Sequence, residues 1–224
     1  LVQQMTAHPQ RPVLEAGEGP VLAFGGPYSN LQALEALEAL LAEAAALGVP
    51  ADRIVCTGDI VAYCGDPAAT ARRVAASGIA VVAGNCEAMA AAAAGDCGCG
   101  FDEGSACAAL SADWWRHVMA ELDGDARAWM AGLPPELELR ISGKRLLVTH
   151  AAPGVDNRFI FPSDALSLKA GEIAAGGLDG IVAGHSGLPF AQVVEGRLWL
   201  NAGAIGMPAN DGTPRGWYAL LTGR

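Results

Sequence analysis

The 224-residue sequence has no run of about 18 apolar residues, the length a helix needs to cross a bilayer, so no transmembrane helix is expected. Its opening stretch, Leu1 to Pro20, lacks a basic region followed by an apolar one, so no secretory signal is expected either. Positive charge is scarce: 14 Lys and Arg face 24 Asp and Glu, for a net charge of −10. Such a surface repels a phosphate backbone, which argues against general nucleic-acid binding. Without a secretory signal, a disulfide framework is not expected. Cys56, Cys64, Cys86, Cys97, Cys99 and Cys107 read as reduced thiols of a cytoplasmic protein with no membrane partner. There is no sequence repeat and no low-complexity linker beyond the Ala run at 90–94.

What is present is the material of one domain. Hydrophobic residues make up 52% of the chain, although 45 of its positions are Ala. Short apolar runs alternate with amphipathic stretches, which is the α/β pattern. Strands are expected at Val21–Phe24, Arg53–Thr57 and Ile79–Ala83. Between them lie a helix that opens on Ser29-Asn30-Leu31-Gln32, with capping-box form, and a helix over Pro67–Ala76. In the first helix Leu34, Leu37, Leu41 and Ala44 share one face. Residues 1–19 read as an N-terminal tail and 20–224 as the domain. Within it, 88–132 reads as a helical, Cys-containing insertion whose Trp114, Trp115 and Trp129 suit packing better than base stacking. Strands follow at 137–141, 145–149, 180–183, 190–194, 198–201 and 217–221, with a helix at 165–175.

The informative residues stand where strands end. Gly58-Asp59 follows the second strand, Gly84-Asn85 the third, His150 ends Leu146–Thr149, and Gly184-His185 follows Ile181–Ala183. Sites of open α/β sheets form beyond the carboxyl ends of strands. One carboxylate, one amide oxygen and two imidazoles there make a donor set for a first-row metal. Taken singly, each has a plainer reading: Asp59 a turn or cap, Asn85 an Asx turn, each His a hydrogen-bonded structural residue.

The order of these motifs resembles the calcineurin-like metallophosphoesterases, in particular their small bacterial phosphodiesterase and diadenosine-tetraphosphatase-like branch. The likeness runs over about residues 20–222. It is carried by Gly58-Asp59-Ile60-Val61-Ala62-Tyr63-Cys64-Gly65-Asp66-Pro67, Gly84-Asn85-Cys86-Glu87, His150, Gly184-His185-Ser186-Gly187 and the tail Asn201-Ala202-Gly203-Ala204-Ile205-Gly206. The resemblance implies an α/β four-layer sandwich, two mixed β-sheets flanked by helices. It implies metal ligands at Asp59, Asn85, His150 and His185, and a small phosphorylated molecule as the partner.

The departures are equally specific. Where the family reads Asp-x-His-x-Asn-Leu, this chain reads Gly26-Pro27-Tyr28-Ser29-Asn30-Leu31. The last His of the family's Gly-His-x-His is Gly187, and the His after Asn85 is Cys86. By the resemblance, Gly26, Tyr28 and Gly187 remove three of the four ligands of one metal, while those of the other remain. The expectation is therefore one divalent transition metal (Mn, Fe or Zn), no second, and a phosphoester hydrolase with an altered centre. Cys86, Glu87 and Tyr28 are the candidate residues at the reacting centre, Tyr28 as a phenol donor or as a filler of the vacated space. Cys86 could act as a thiolate beside Asn85, and Cys97 and Cys99 as further soft ligands. Two alternatives stand beside this reading: an inactive protein that binds a phosphorylated ligand or partner, and a thiol-based activity of Cys86 or Cys97/Cys99 in the same cleft.

Overall fold

The computed structural model describes residues 11–223. The tail residues 1–10 and the side chain of Leu34 lie outside this description. Sixteen principal elements follow one another. β1 (Val13–Gly17) and β2 (Val21–Phe24) lead into α1 (Leu31–Ala46), β3 (Ile54–Cys56), α2 (Pro67–Ala76) and β4 (Ala80–Val81). Three helices come next, α3 (Asn85–Ala91), α4 (Ala106–Glu121) and α5 (Gly124–Ala131). The hairpin β5 (Glu136–Ile141) and β6 (Lys144–Thr149) precedes α6 (Leu166–Gly176), β7 (Gly180–Ala183), β8 (Phe190–Val194), β9 (Arg197–Asn201) and β10 (Tyr218–Leu221).

The strands form two mixed sheets, β1-β5-β6-β7-β9-β8 and β10-β2-β3-β4. Within the first, β6, β7 and β9 run parallel; within the second, β2, β3 and β4 do. Side chains alternate across a strand, and the burial shows where each face goes. Val21, Ala23 and Val55 share one core with Leu146, Val148, Val182 and Leu200, so that core lies between the sheets. Leu22, Phe24, Ile54 and Cys56 point the other way, into a core with Leu37 and Leu40 of α1, Val74 of α2 and Trp115, Val118 and Met130 of α4 and α5. Leu147, Ile181 and Trp199 face Ile173 of α6. Helices, sheet, sheet and helix make four layers. The central strands β2, β3 and β7 are covered on both faces, which is why they read as unbroken apolar runs rather than alternating ones.

Three details differ from the sequence expectation. Part of the stretch read as a tail is a strand: β1 pairs parallel with β5, Leu14 opposite Leu139. Its exposed face and short length left no apolar signal. The N-cap of α1 is Asn30, whose side chain accepts from the Gln32 N–H at 2.9 Å. Ser29 instead accepts from the Ala62 N–H, which ties the start of α1 to the loop after β3. The stretch 88–132 does not stand apart, because α4 and α5 share one core with α1 and α2. Trp115 is buried there, with its indole N–H on the Ala94 carbonyl, so it serves packing. Among the described residues, no helix is long and apolar enough to cross a membrane.

Candidate metal centre

Four loops deliver the four predicted donors to one point. Asp59 follows β3, Asn85 is the first residue of α3, His150 follows β6 and His185 follows β7. All four are buried. The centre is His150 Nε2, which lies 3.1 Å from Asn85 Oδ1, 3.0 Å from His185 Nδ1 and 3.3 Å from Asp59 Oδ1. Donor atoms bound at about 2.0–2.2 Å to a common ion stand roughly 3–3.5 Å apart, so these spacings fit a coordination shell. The other nitrogen of His150, Nδ1, donates to the Thr57 carbonyl at 2.6 Å. That bond fixes the tautomer and leaves Nε2 free to face the cluster. Asp59 Oδ1 and His185 Nε2 are buried without a hydrogen-bond partner. An orphaned carboxylate oxygen costs several kcal/mol unless a cation or proton meets it, and here it is aimed into the donor set. Asp59, His150 and His185 can therefore hold a metal ion.

The electrostatics point the same way. Burial alone pushes the His150 imidazole down, but the Asp59 carboxylate and the Thr57 carbonyl more than reverse this and lift it to about 9. His185 goes the other way, down to about 4, through burial and then the positive His150 beside it. Asp59 is held below the usual carboxylate range: burial opposes this, and the two imidazoles overcome it. A proton on His150 thus sits where a cation is wanted.

The loops that carry these donors are strained. Tyr28, Ser29, Asp59, Tyr63 and His185 have φ of 56°, 52°, 57°, 47° and 24°, a left-handed region that ordinary residues avoid. Asp59 is held there by a buried carboxylate. Glu87 Oε1 accepts from the N–H groups of Ile60 and Val61 at 2.8 and 3.2 Å, and Oε2 from those of Asp59 and Gly84, both at 2.9 Å. Gly58 and Gly84 let these loops touch, since a Cβ on Gly58 would stand 2.7 Å from the Gly84 nitrogen and 2.9 Å from His150 Nδ1. The expectation that Glu87 lies at the reacting centre is thereby corrected. It is fully buried, both oxygens are occupied by backbone, and its role is to position Asp59.

Burial first, then Asp59 and Glu87, drive the Cys86 pKa well above the ordinary thiol value, so in the ion-free chain the group is a neutral thiol, its sulfur 3.4 Å from the Asn85 amide nitrogen. Tyr28 is a filler. A Cβ on Gly26 would overlap its ring, and one on Gly187 would stand 3.1 Å from its hydroxyl. The ring fills the space those two glycines leave, edge-on to Tyr63 at 4.9 Å. Cys97 and Cys99 are neither reduced thiols nor ligands: they are joined as a disulfide and lie behind Asn85, on its amide-nitrogen side.

One neighbour had no signal in the sequence. Phe159, in the long loop between β6 and α6, stands 4.3 Å from the His185 ring, centroid to centroid. Phe101 and Phe161 continue the aromatic row. The short apolar run Phe159-Ile160-Phe161 lies in a loop and carries no period or motif by which to place its rings.

A sequence model described as the calcineurin-like phosphoesterase superfamily domain matches residues 32–223. Among curated proteins, none matches significantly. Among solved structures, a metallophosphoesterase from Sphaerobacter thermophilus is 23% identical, with 91% of this chain and 83% of that one covered and a TM-score of 0.64. A hypothetical protein from Pyrococcus horikoshii OT3 is 16% identical, with coverage of 91% and 87% and a TM-score of 0.68. At these identities the likeness to both structures is one of fold. With most of its length matched and the two-sheet sandwich in place, the chain belongs to the calcineurin-like phosphoesterase superfamily.

Proposed function

We propose that the protein is a phosphoester hydrolase with an altered, single-metal centre. Asp59, Asn85, His150 and His185 hold one divalent Mn, Fe or Zn ion, and the substrate is a small phosphorylated molecule. The observation that carries the reading is the approach of three donor atoms to His150 Nε2 at 3.0–3.3 Å, with Asp59 Oδ1 left orphaned. The chemistry such an ion supplies when bound is Lewis acidity toward a phosphoryl oxygen. The chain's own part is to hold the donors. Thr57 fixes His150, Glu87 fixes the Asp59 loop, and the Phe159 ring keeps water from one face of His185. Support for a single ion comes from Tyr28, Gly26 and Gly187. The places where the family pattern has two His and an Asp hold one phenol ring and two glycines, and the ring fills the gap.

A second reading is favoured by the burial itself. Asp59 is 3% and His185 8% exposed, so a substrate reaches them only if the covering loop moves. A protein that keeps the centre to bind a phosphorylated ligand without turning it over fits that closure. The test begins with elemental analysis of protein purified without added metal, where about one ion per chain is expected. His185→Ala should lose the ion, and with it any hydrolysis of phosphate mono- and diesters. Full metal retention in that variant refutes the centre. An intact ion with no turnover on any ester selects the second reading.

A further inference from the structure

The motif that the proposed centre leaves unused is Cys97-Gly98-Cys99. We propose that its disulfide is a redox-sensitive support for Asn85, so that metal affinity at the four-donor cluster depends on whether this pair is oxidised. The inference rests on the metal-centre reading above.

A carboxamide has two unlike ends, and its orientation is set by what each end meets. The oxygen of Asn85 faces His150 Nε2 at 3.1 Å. Its nitrogen end donates to the Cys97 carbonyl at 2.8 Å and lies 3.3 Å from Cys99 Sγ and 3.4 Å from Cys86 Sγ. Three acceptors from cysteine residues behind the amide thus turn its oxygen toward the cluster. Cys97 and Cys99 are positioning residues in this sense: they touch the ligand, not the ion.

Opening the disulfide cannot leave that arrangement intact. Two bonded sulfurs must separate to van der Waals contact, roughly 3.5–4 Å. Both residues are buried, each 4% exposed, with Asn85 packed against one side of the pair. Cys99 Sγ, one of the two that must part, is the atom against Asn85. The tripeptide also holds the loop over the site, because the Gly98 carbonyl accepts from Asn157 Nδ2 at 3.1 Å, two residues before Phe159. Reduction therefore disturbs both the support behind the amide and the tether of the cover. Groups that orient a metal ligand are typically worth about 10- to 100-fold in metal affinity.

A reagent can reach the bond. Cys97 and Cys99 line a surface cavity of about 440 Å³ together with Asp96, Phe101 and Asn157. The reductant is a small thiol. Two thiols and the protein disulfide give two protein thiols and one small-molecule disulfide, with two electrons and two protons passing to Cys97 and Cys99. A small-molecule disulfide reverses the step.

The test uses the full chain. Alkylation and mass measurement before and after a phosphine reductant count the thiols, and titration with Mn(II), followed by the spectrum of the free ion, gives the affinity in each state. Zn(II) against a chromophoric chelator is the second probe. Reduction is expected to add two thiols and weaken binding about 10- to 100-fold. Glutathione disulfide is expected to restore both, and Cys97→Ser with Cys99→Ser to reproduce the reduced state. Should the double variant fail to fold, the reduced wild-type chain carries the comparison. Affinities equal within about twofold overturn the inference while leaving the metal centre standing. So do a pair that glutathione disulfide cannot close and an affinity that rises on reduction. An oxidised chain that binds neither ion overturns the centre and this inference together.

Discussion

The proton on His150 competes directly with any cation in the cluster, and this fixes how metal binding must depend on pH. His150 Nε2 is the atom that Asp59, Asn85 and His185 all face, and its imidazole titrates at about 9. A metal ligand must be the neutral base, so binding releases that proton. At pH 7 the group lies about two units below its pKa, and the proton weakens the apparent affinity by about a hundredfold, about 2.7 kcal/mol. His185, at about 4, is already neutral and releases nothing. Apparent affinity should therefore rise about tenfold per pH unit from pH 5 to pH 8 and flatten near pH 9. Calorimetric titrations of one ion in buffers of different ionisation enthalpy should report close to one proton released at pH 7. In the ion-free chain the sign reverses. The folded pKa stands above the ordinary value, so His150 stabilises the fold fully below about 6.5, and that contribution is lost as pH rises through about 9. An affinity independent of pH between 6 and 8, with no proton released, would refute the assignment of His150 as the central donor.

Glu87→Gln keeps the shape but places an NH2 against backbone N–H groups of the Asp59 loop, so urea unfolding should show a loss of about 2–4 kcal/mol, with weaker metal binding. Glu138 is held at about 2 by the Arg145 guanidinium, with Arg140 beside it, against the effect of burial. Its contribution is present above about 4.3 and is lost as pH falls toward 2. Because both arginines are half exposed, screening reduces it to about 1 kcal/mol, and Glu138→Gln should flatten the acid limb of the stability curve by that amount.

The central strands were legible because the two-sheet sandwich buries both of their faces, and unbroken apolar runs such as Val21–Phe24 and Gly180–Ala183 are the imprint of that burial, while β5 showed in the alternation of Leu137, Leu139 and Ile141 with charged residues. β1 was not, since it is an edge strand with a mostly exposed face and no such run. At the site, the meeting of Asp59, Asn85, His150 and His185 was foreshadowed by their places at strand ends, three of them directly after a glycine. What each neighbour does was not. Glu87 sits one residue from Cys86 and two from Asn85, and nothing in that spacing tells a carboxylate that faces substrate from one that accepts four backbone N–H groups. The disulfide escaped for a similar reason. The expectation for cysteines came from compartment, whereas the pairing of Cys97 and Cys99 comes from a turn at Gly98, with φ of 64°, that brings their Cα atoms to 5.3 Å.

Gly26, Tyr28 and Gly187 look like three separate departures from the family pattern, but sterically they are one. The nearest atoms to a Cβ on Gly26 all belong to the Tyr28 ring, and the first met from Gly187 is the Tyr28 hydroxyl. Gly26 cannot regain a side chain while that ring is in place, one at Gly187 would crowd its hydroxyl, and without those side chains the ring has the space to itself. A double-mutant cycle isolates this. Gly26→Ala carries a strain cost, since φ is 47°, and that cost is the same whether residue 28 is Tyr or Ala. The overlap with the ring exists only in the Tyr28 background. Tyr28→Ala alone should cost about 3–5 kcal/mol for the cavity it opens. Adding Gly26→Ala to Tyr28→Ala should then cost less than adding it to the natural chain, by a coupling of about 1–3 kcal/mol read from urea midpoints. Additivity within about 0.5 kcal/mol would mean that the ring does not occupy the space between the two glycines, and the steric case for a single ion would fall with it.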